Sequence, residues 1–106
     1  MVREPRTARQ GKARRVQQRD LWEALRTLNR AVELDPRRAT YYNARGYVYL
    51  RLQSYANAIL EFSEAIRLRP DYANALRNRA SARRHAGDAN RAAADEQKAA
   101  ELEKGH

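Results

Sequence analysis

Four arginines, Arg77, Arg79, Arg83 and Arg84, fall within residues 73–86 with no acidic residue among them. A guanidinium offers a carboxylate two parallel hydrogen bonds, so the chemistry this cluster suggests is anion binding rather than bond breaking. A histidine base would have to be His85 or His106, and neither has a nucleophile beside it in a catalytic spacing. His85 follows Arg84 at the end of a helical stretch, where a cation suits the helix dipole, so a capping role is expected of it. The chain has no cysteine, which excludes disulfides, thiolate metal sites and a thiol nucleophile. No glycine-rich phosphate loop and no metal-ligand spacing occur either. The expectation is therefore a protein that is not an enzyme and that needs no cofactor or metal.

The formal net charge of +9 is concentrated rather than spread. Residues 1–19 hold seven bases against one acid, Glu4, whereas residues 20–106 hold fifteen against twelve. Such a basic segment could meet RNA or DNA phosphates without sequence preference, or could be a frayed helix. No nucleic-acid recognition motif accompanies it, so nucleic acid is the lesser expectation for a partner. No apolar run approaches the length of a membrane span, and the N-terminus lacks the hydrophobic core of a secretory signal, so no membrane partner is expected and the expected compartment is the cytoplasm.

The elements that must carry these residues are helices. Ala, Arg, Leu and Glu dominate, while three prolines and four glycines leave little turn material for a sheet protein. The stretch LNRAVELDP at residues 28–36 returns as FSEAIRLRP at 62–70, a step of 34 residues. The same step aligns Ala24, Ala58 and Ala92, then Ala31, Ala65 and Ala99, then Leu34, Leu68 and Leu102, and it matches Pro36 to Pro70. A period in this range marks a repeat architecture, and one unit has room for two helices and two short turns. In the middle unit, residues 39–72, a helix over Thr40–Leu52 places Tyr42, Gly46 and Tyr49 on one stripe. A second places Tyr55, Ile59, Phe62 and Ile66 on another, with Ala58 and Ala65 beside it. Pro70 closes the unit, and Gly87-Asp88 makes the turn inside the next.

Tyr42, Gly46, Tyr49, Ala58, Phe62, Ala65 and Pro70 together resemble the consensus of the tetratricopeptide repeat, a helix-turn-helix unit. The resemblance implies an all-α, right-handed solenoid of units 5–38, 39–72 and 73–106, the first and last degenerate. In the first unit Ala8, Lys12 and Arg15 replace Tyr42, Gly46 and Tyr49. Residues 1–19 are accordingly expected to be a degenerate first helix or flexible arm, separable from a repeat domain over 20–106. In the third unit the counterparts are Leu76, Ala80 and Arg83, Glu96 stands for Phe62, and Lys104 for the closing proline. The alanine-rich last helix would cap the stack or, left open, take a second copy, so a homo-oligomer is possible.

The resemblance also implies function. In this family the first helices of successive repeats line a concave groove that holds an extended peptide or a partner helix. Here that groove would be lined by Arg9, Asn43, Tyr47, Arg51, Asn74, Arg77, Asn78, Ser81 and Arg84, with Tyr47 as an apolar anchor and Arg77 and Arg84 as carboxylate contacts. The implied partner is a protein carrying an acidic segment. The clamp by which one subset of the family grips chaperone tails would fall on Arg9, Ala13, Ala44, Asn74 and Asn78, a broken pattern. Tyr42, Tyr49, Tyr55 and Phe62 are expected in the core, and Trp22 is expected to cover its edge.

Overall fold

The helix-forming composition is realised along nearly the whole chain. The computed structural model describes residues 6–105, with side chains from Arg15 onward. They form five helices: α1 (Arg6–Leu34), α2 (Ala39–Arg51), α3 (Tyr55–Leu68), α4 (Ala73–His85) and α5 (Ala89–Lys104). No strand occurs among the described residues. Helices α2 and α3 form one pair and α4 and α5 a second; α3 joins the pairs by packing on α4, and among the described residues α1 packs on α2 alone. This is the all-α repeat stack expected from the 34-residue step.

Small residues set how closely the helices approach. Ala58, Ala65, Ala75, Ala80, Ala82, Ala92 and Ala99 are fully buried, and Phe62 and Leu76 are the largest side chains that are completely enclosed. Gly46 lies where α2 crosses α3. A Cβ built there would sit 2.6 Å from Cε1 and 2.7 Å from Cδ1 of the Phe62 ring, so only glycine lets the ring lie flat against the α2 backbone. Tyr42, on the same stripe, donates its hydroxyl proton to the Pro36 carbonyl at 2.7 Å.

The turn inside each pair is the same motif twice. After α2, Gln53 adopts φ 62°, its N–H donates to the Leu50 carbonyl at 3.0 Å, and Ser54 N–H donates to Tyr49 at 2.9 Å. After α4, Gly87 adopts φ 88°, with Gly87 N–H on Arg84 at 3.0 Å and Asp88 N–H on Arg83 at 2.8 Å. Both are Schellman caps, in which a left-handed residue lets the chain reverse while satisfying the last carbonyls. Asp88 then caps α5, accepting from Arg91 N–H.

The first unit departs from the expected helix pair. Arg19 stands at the register position of Gln53 and Gly87, yet α1 runs through it unbroken, and the boundary drawn between residues 19 and 20 coincides with no turn. Two physical reasons agree. No glycine favours the left-handed conformation there, and a stripe of Ala8, Lys12 and Arg15 would gain little by folding back onto an apolar helix. Trp22, expected at the core edge, is instead 57 % exposed, since among the described residues α1 packs on no helix besides α2.

Candidate functional site

Helices α2 and α4 occupy equivalent places in successive pairs, and their exposed faces meet through amides. Asn43 on α2 donates from its Nδ2 to Asn74 Oδ1 at 3.0 Å and to the Tyr72 hydroxyl at 3.2 Å. Asn78, one turn after Asn74 on α4, donates to Asn43 Oδ1 at 3.0 Å and to Asn74 Oδ1 at 3.1 Å. Three of the expected groove residues are thus brought into one hydrogen-bonded cluster. One turn further along α2, Tyr47 is 46 % exposed, and the Arg51 guanidinium lies 6.0 Å from its ring centroid with an N–H on its hydroxyl at 3.4 Å. Ser81 is half-buried, and its carbonyl lies 2.8 Å from Nδ1 of His85 at the end of α4. The His85 ring also stacks on Tyr55, with centroids 5.0 Å apart. The side chain of Arg9 lies outside the described residues, as do those of Ala8, Lys12 and Ala13.

Arg77 and Arg84 are engaged elsewhere. Arg77 makes a two-pronged ion pair with Glu103, and Arg84 pairs with Glu96 through N–O distances of 3.0 and 2.6 Å. The hydrogen bond from Arg77 holds the Glu103 carboxyl below the usual carboxylate range, and that from Arg84 does the same for Glu96. The local surplus of positive charge read in residues 73–86 is therefore relieved inside the chain by carboxylates of α5. A window ending at residue 86 could not contain them.

The other two arginines of α4 converge on one buried acid. Asp95, only 5 % exposed, accepts from Arg79 Nε at 3.0 Å, from a second Arg79 nitrogen at 2.7 Å and from Arg83 at 2.8 Å. A further Arg79 nitrogen donates to the Ser63 hydroxyl on α3 at 3.2 Å. One repeat earlier, Arg45 on α2 grips Glu61 on α3 at 2.6 and 3.0 Å and donates to Asn29 on α1 at 3.2 Å. Each arginine therefore clasps its own pair and ties it to the preceding helix, leaving no buried side-chain polar atom without a partner among the described residues. Sequence reasoning missed these clasps. Their signal was present in the step that relates Arg45 to Arg79, Glu61 to Asp95 and Asn29 to Ser63.

Amide donors and acceptors, a tyrosine ring and a guanidinium share the α2–α4 face. Among the described residues no cluster of three metal-ligating side chains occurs, and no helix is long and apolar enough to cross a membrane.

Known proteins resemble the chain in the same terms. A UDP-N-acetylglucosamine–peptide N-acetylglucosaminyltransferase of Giardia intestinalis is 43 % identical over 56 residues, which are 53 % of this chain but 4 % of that protein. Among solved structures, the second tetratricopeptide domain of human RPAP3, in complex with the HSP70 peptide SGPTIEEVD, superposes with a TM-score of 0.76 at 29 % identity, over 81 % of this chain and 72 % of that one. The tetratricopeptide domain of Arabidopsis OM64 superposes with a TM-score of 0.78 at 26 % identity, over 83 % and 73 %. A tetratricopeptide repeat family model matches residues 13–73, more than half of the sequence. With helix pairs repeating every 34 residues and the glycine crossing in place, the chain belongs to the tetratricopeptide repeat family.

Proposed function

We propose that the α2–α4 face binds an extended segment of a protein partner, with the amide cluster of Asn43, Asn74 and Asn78 as the observation that carries the reading. An extended peptide presents alternating backbone N–H and C=O groups, and a carboxamide can donate to one and accept from the other. The cluster's internal bonds hold the three amides in place before a ligand arrives, which lowers the ordering entropy lost on binding. Tyr47 supplies the apolar anchor beside them. Arg51 lies against that ring and favours a carboxylate, which suits an acidic segment, and the net positive chain would draw such a partner in. RPAP3, a relative in fold, holds a peptide with three acidic side chains. In this chain Arg77 and Arg84 would contribute only by exchanging their α5 carboxylates for those of the ligand, so Arg51 is the primary charge contact.

The test is fluorescence polarisation with a set of labelled extended peptides rich in Asp and Glu and with the same peptides carrying Asn and Gln in place of their acids. Tyr47→Ala and Asn43→Ala should each weaken binding, whereas Arg91→Glu on α5 should not. Equal binding by all three variants would remove the groove from the reading.

A second reading rests on α1. Residues 6–19 contain six bases and no acid and continue the helix beyond the body of the repeats, as a segment contacting nucleic-acid phosphates would. Deleting residues 1–19 should abolish any salt-sensitive affinity for RNA while leaving cooperative melting intact. If affinity survives the deletion, the arm is not a nucleic-acid site.

A further inference from the structure

Where α1 passes the turn between α2 and α3, a cleft of about 340 Å³ is lined by Gln17, Gln18 and Leu21 of α1 and by Arg51, Leu52 and Gln53. The repeat register explains why it is open. One step of 34 residues on, Leu21 and Arg51 become Tyr55 and His85, whose rings stack with centroids 5.0 Å apart. In the first unit neither ring is present, and α1, unbroken at Arg19, carries Gln17 and Gln18 to the same place. The volume that a ring pair takes up in the second repeat therefore stays accessible here.

The walls favour an anion. Arg51 brings a guanidinium, the three glutamines bring carboxamides that can donate N–H groups, and none of the lining residues is an acid. Among the described residues, every other arginine of α2 to α5 is paired with a carboxylate of its own chain. Arg51 is the exception. Its guanidinium makes one long contact, an N–H on the Tyr47 hydroxyl at 3.4 Å, which leaves further donors for a ligand. Seven bases against one acid in residues 1–19 add a field that draws anions toward the chain.

We infer that this cleft is the subsite for one aspartate or glutamate side chain of the bound segment, an inference that rests on the α2–α4 reading and adds to it where the acid must sit. Asn43, Tyr47 and Arg51 follow one another at single-turn spacing along α2, so Arg51 lies about 12 Å along the helix from Asn43. An extended chain covers that in about four residues. The ligand is therefore a segment whose acid stands about four residues from the residue held at Asn43, with an apolar side chain on Tyr47 between them. The carboxylate takes parallel hydrogen bonds from the guanidinium, and the glutamine carboxamides donate to its remaining lone pairs.

The test is an NMR titration of the isotope-labelled full chain with N-acetylglutamate α-amide, whose one charge is a side-chain carboxylate, and with N-acetylglutamine α-amide as its neutral twin. The acid should shift the Arg51 Nε–H and the Gln53 side-chain amide, and the neutral twin should not. Arg51→Gln should weaken the acid about tenfold. Leu21→Tyr should weaken it as well, since that variant keeps the arginine but sets a ring where the second repeat has one. Arg37→Gln, which removes an exposed arginine between helices, should leave binding unchanged. Equal shifts from the neutral twin would overturn the inference, and so would undiminished binding by Leu21→Tyr, which would show Arg51 to act as an exposed charge without the cleft. Failure of the groove is separable: if acidic peptides ignore Asn43→Ala and Tyr47→Ala while the acid still enters the cleft, the carboxylate subsite stands and the α2–α4 reading falls.

Discussion

Replacing Asp95 with alanine removes one acceptor from beneath two arginines. The Asp95 side chain is 6 % exposed, and those of Arg79 and Arg83 are each 17 % exposed. Three N–H groups lose their acceptor at once, and two like charges are left adjacent with little water. Breaking a buried pair by removing one partner destabilises by about 3–5 kcal/mol. The residual exposure of the arginines lets water reach them in part, so the lower end, about 3 kcal/mol, is the expected loss. For a domain of this size that is a fall in melting temperature of roughly 12–24 °C. Thermal and urea unfolding followed by circular dichroism measure it, with Glu33→Ala as control because the Arg30–Glu33 pair is 74 % and 69 % exposed. Glu61→Ala should fall between the two, since one arginine rather than two depends on Glu61. Replacing the whole clasp with Leu at 95 and Met at 79 and 83 should recover much of the loss, because apolar residues leave no uncompensated charge. An Asp95→Ala chain that melts within a few degrees of the Glu33→Ala control would refute the reasoning and show the clasp to be solvated.

Gly46→Leu should destabilise by about 1–3 kcal/mol, since its first carbon already overlaps the enclosed Phe62 ring; an unchanged melting temperature would contradict the α2–α3 crossing. Gln53→Gly should stabilise by about 1 kcal/mol by relieving a left-handed residue that is not glycine, and Gly87→Ala should do the reverse in the equivalent turn. Acid should loosen α5. Glu96 and Glu103 are held below the ordinary carboxylate value when folded, so their contribution is complete above the ordinary glutamate range and is lost as pH falls through the folded values. Melting temperature followed from neutral pH to about pH 3 should therefore decline less steeply in a Glu96→Gln, Glu103→Gln chain. Equal slopes would show that these pairs add nothing to the docking of α5.

The sequence by itself determined what is local and periodic. Composition excluded a sheet, and the 34-residue step located the helix pairs. Spacing placed Gly46 on an aromatic stripe, and the structure puts the close crossing of α2 and α3 at that residue without a side chain. Asn43, Asn74 and Asn78 were expected in a groove only through the resemblance to the tetratricopeptide repeat; helical geometry adds which positions share a face. Tertiary structure alone decided what those faces meet. The partners of Arg77, Arg79, Arg83 and Arg84 lie on α5, 12 to 26 residues away, and charge counted along the chain cannot show which side chains a turn folds back into contact. The first unit turned on the same distinction. The sequence showed that residues 1–19 lack the apolar stripe, but whether they would break from α1 or extend it depended on the balance between one more turn of helix and burial against a neighbour. With no left-handed residue at Arg19 and no apolar face to bury, the helix continues, and Leu21, Ala24, Leu28 and Ala31 are left only partly covered.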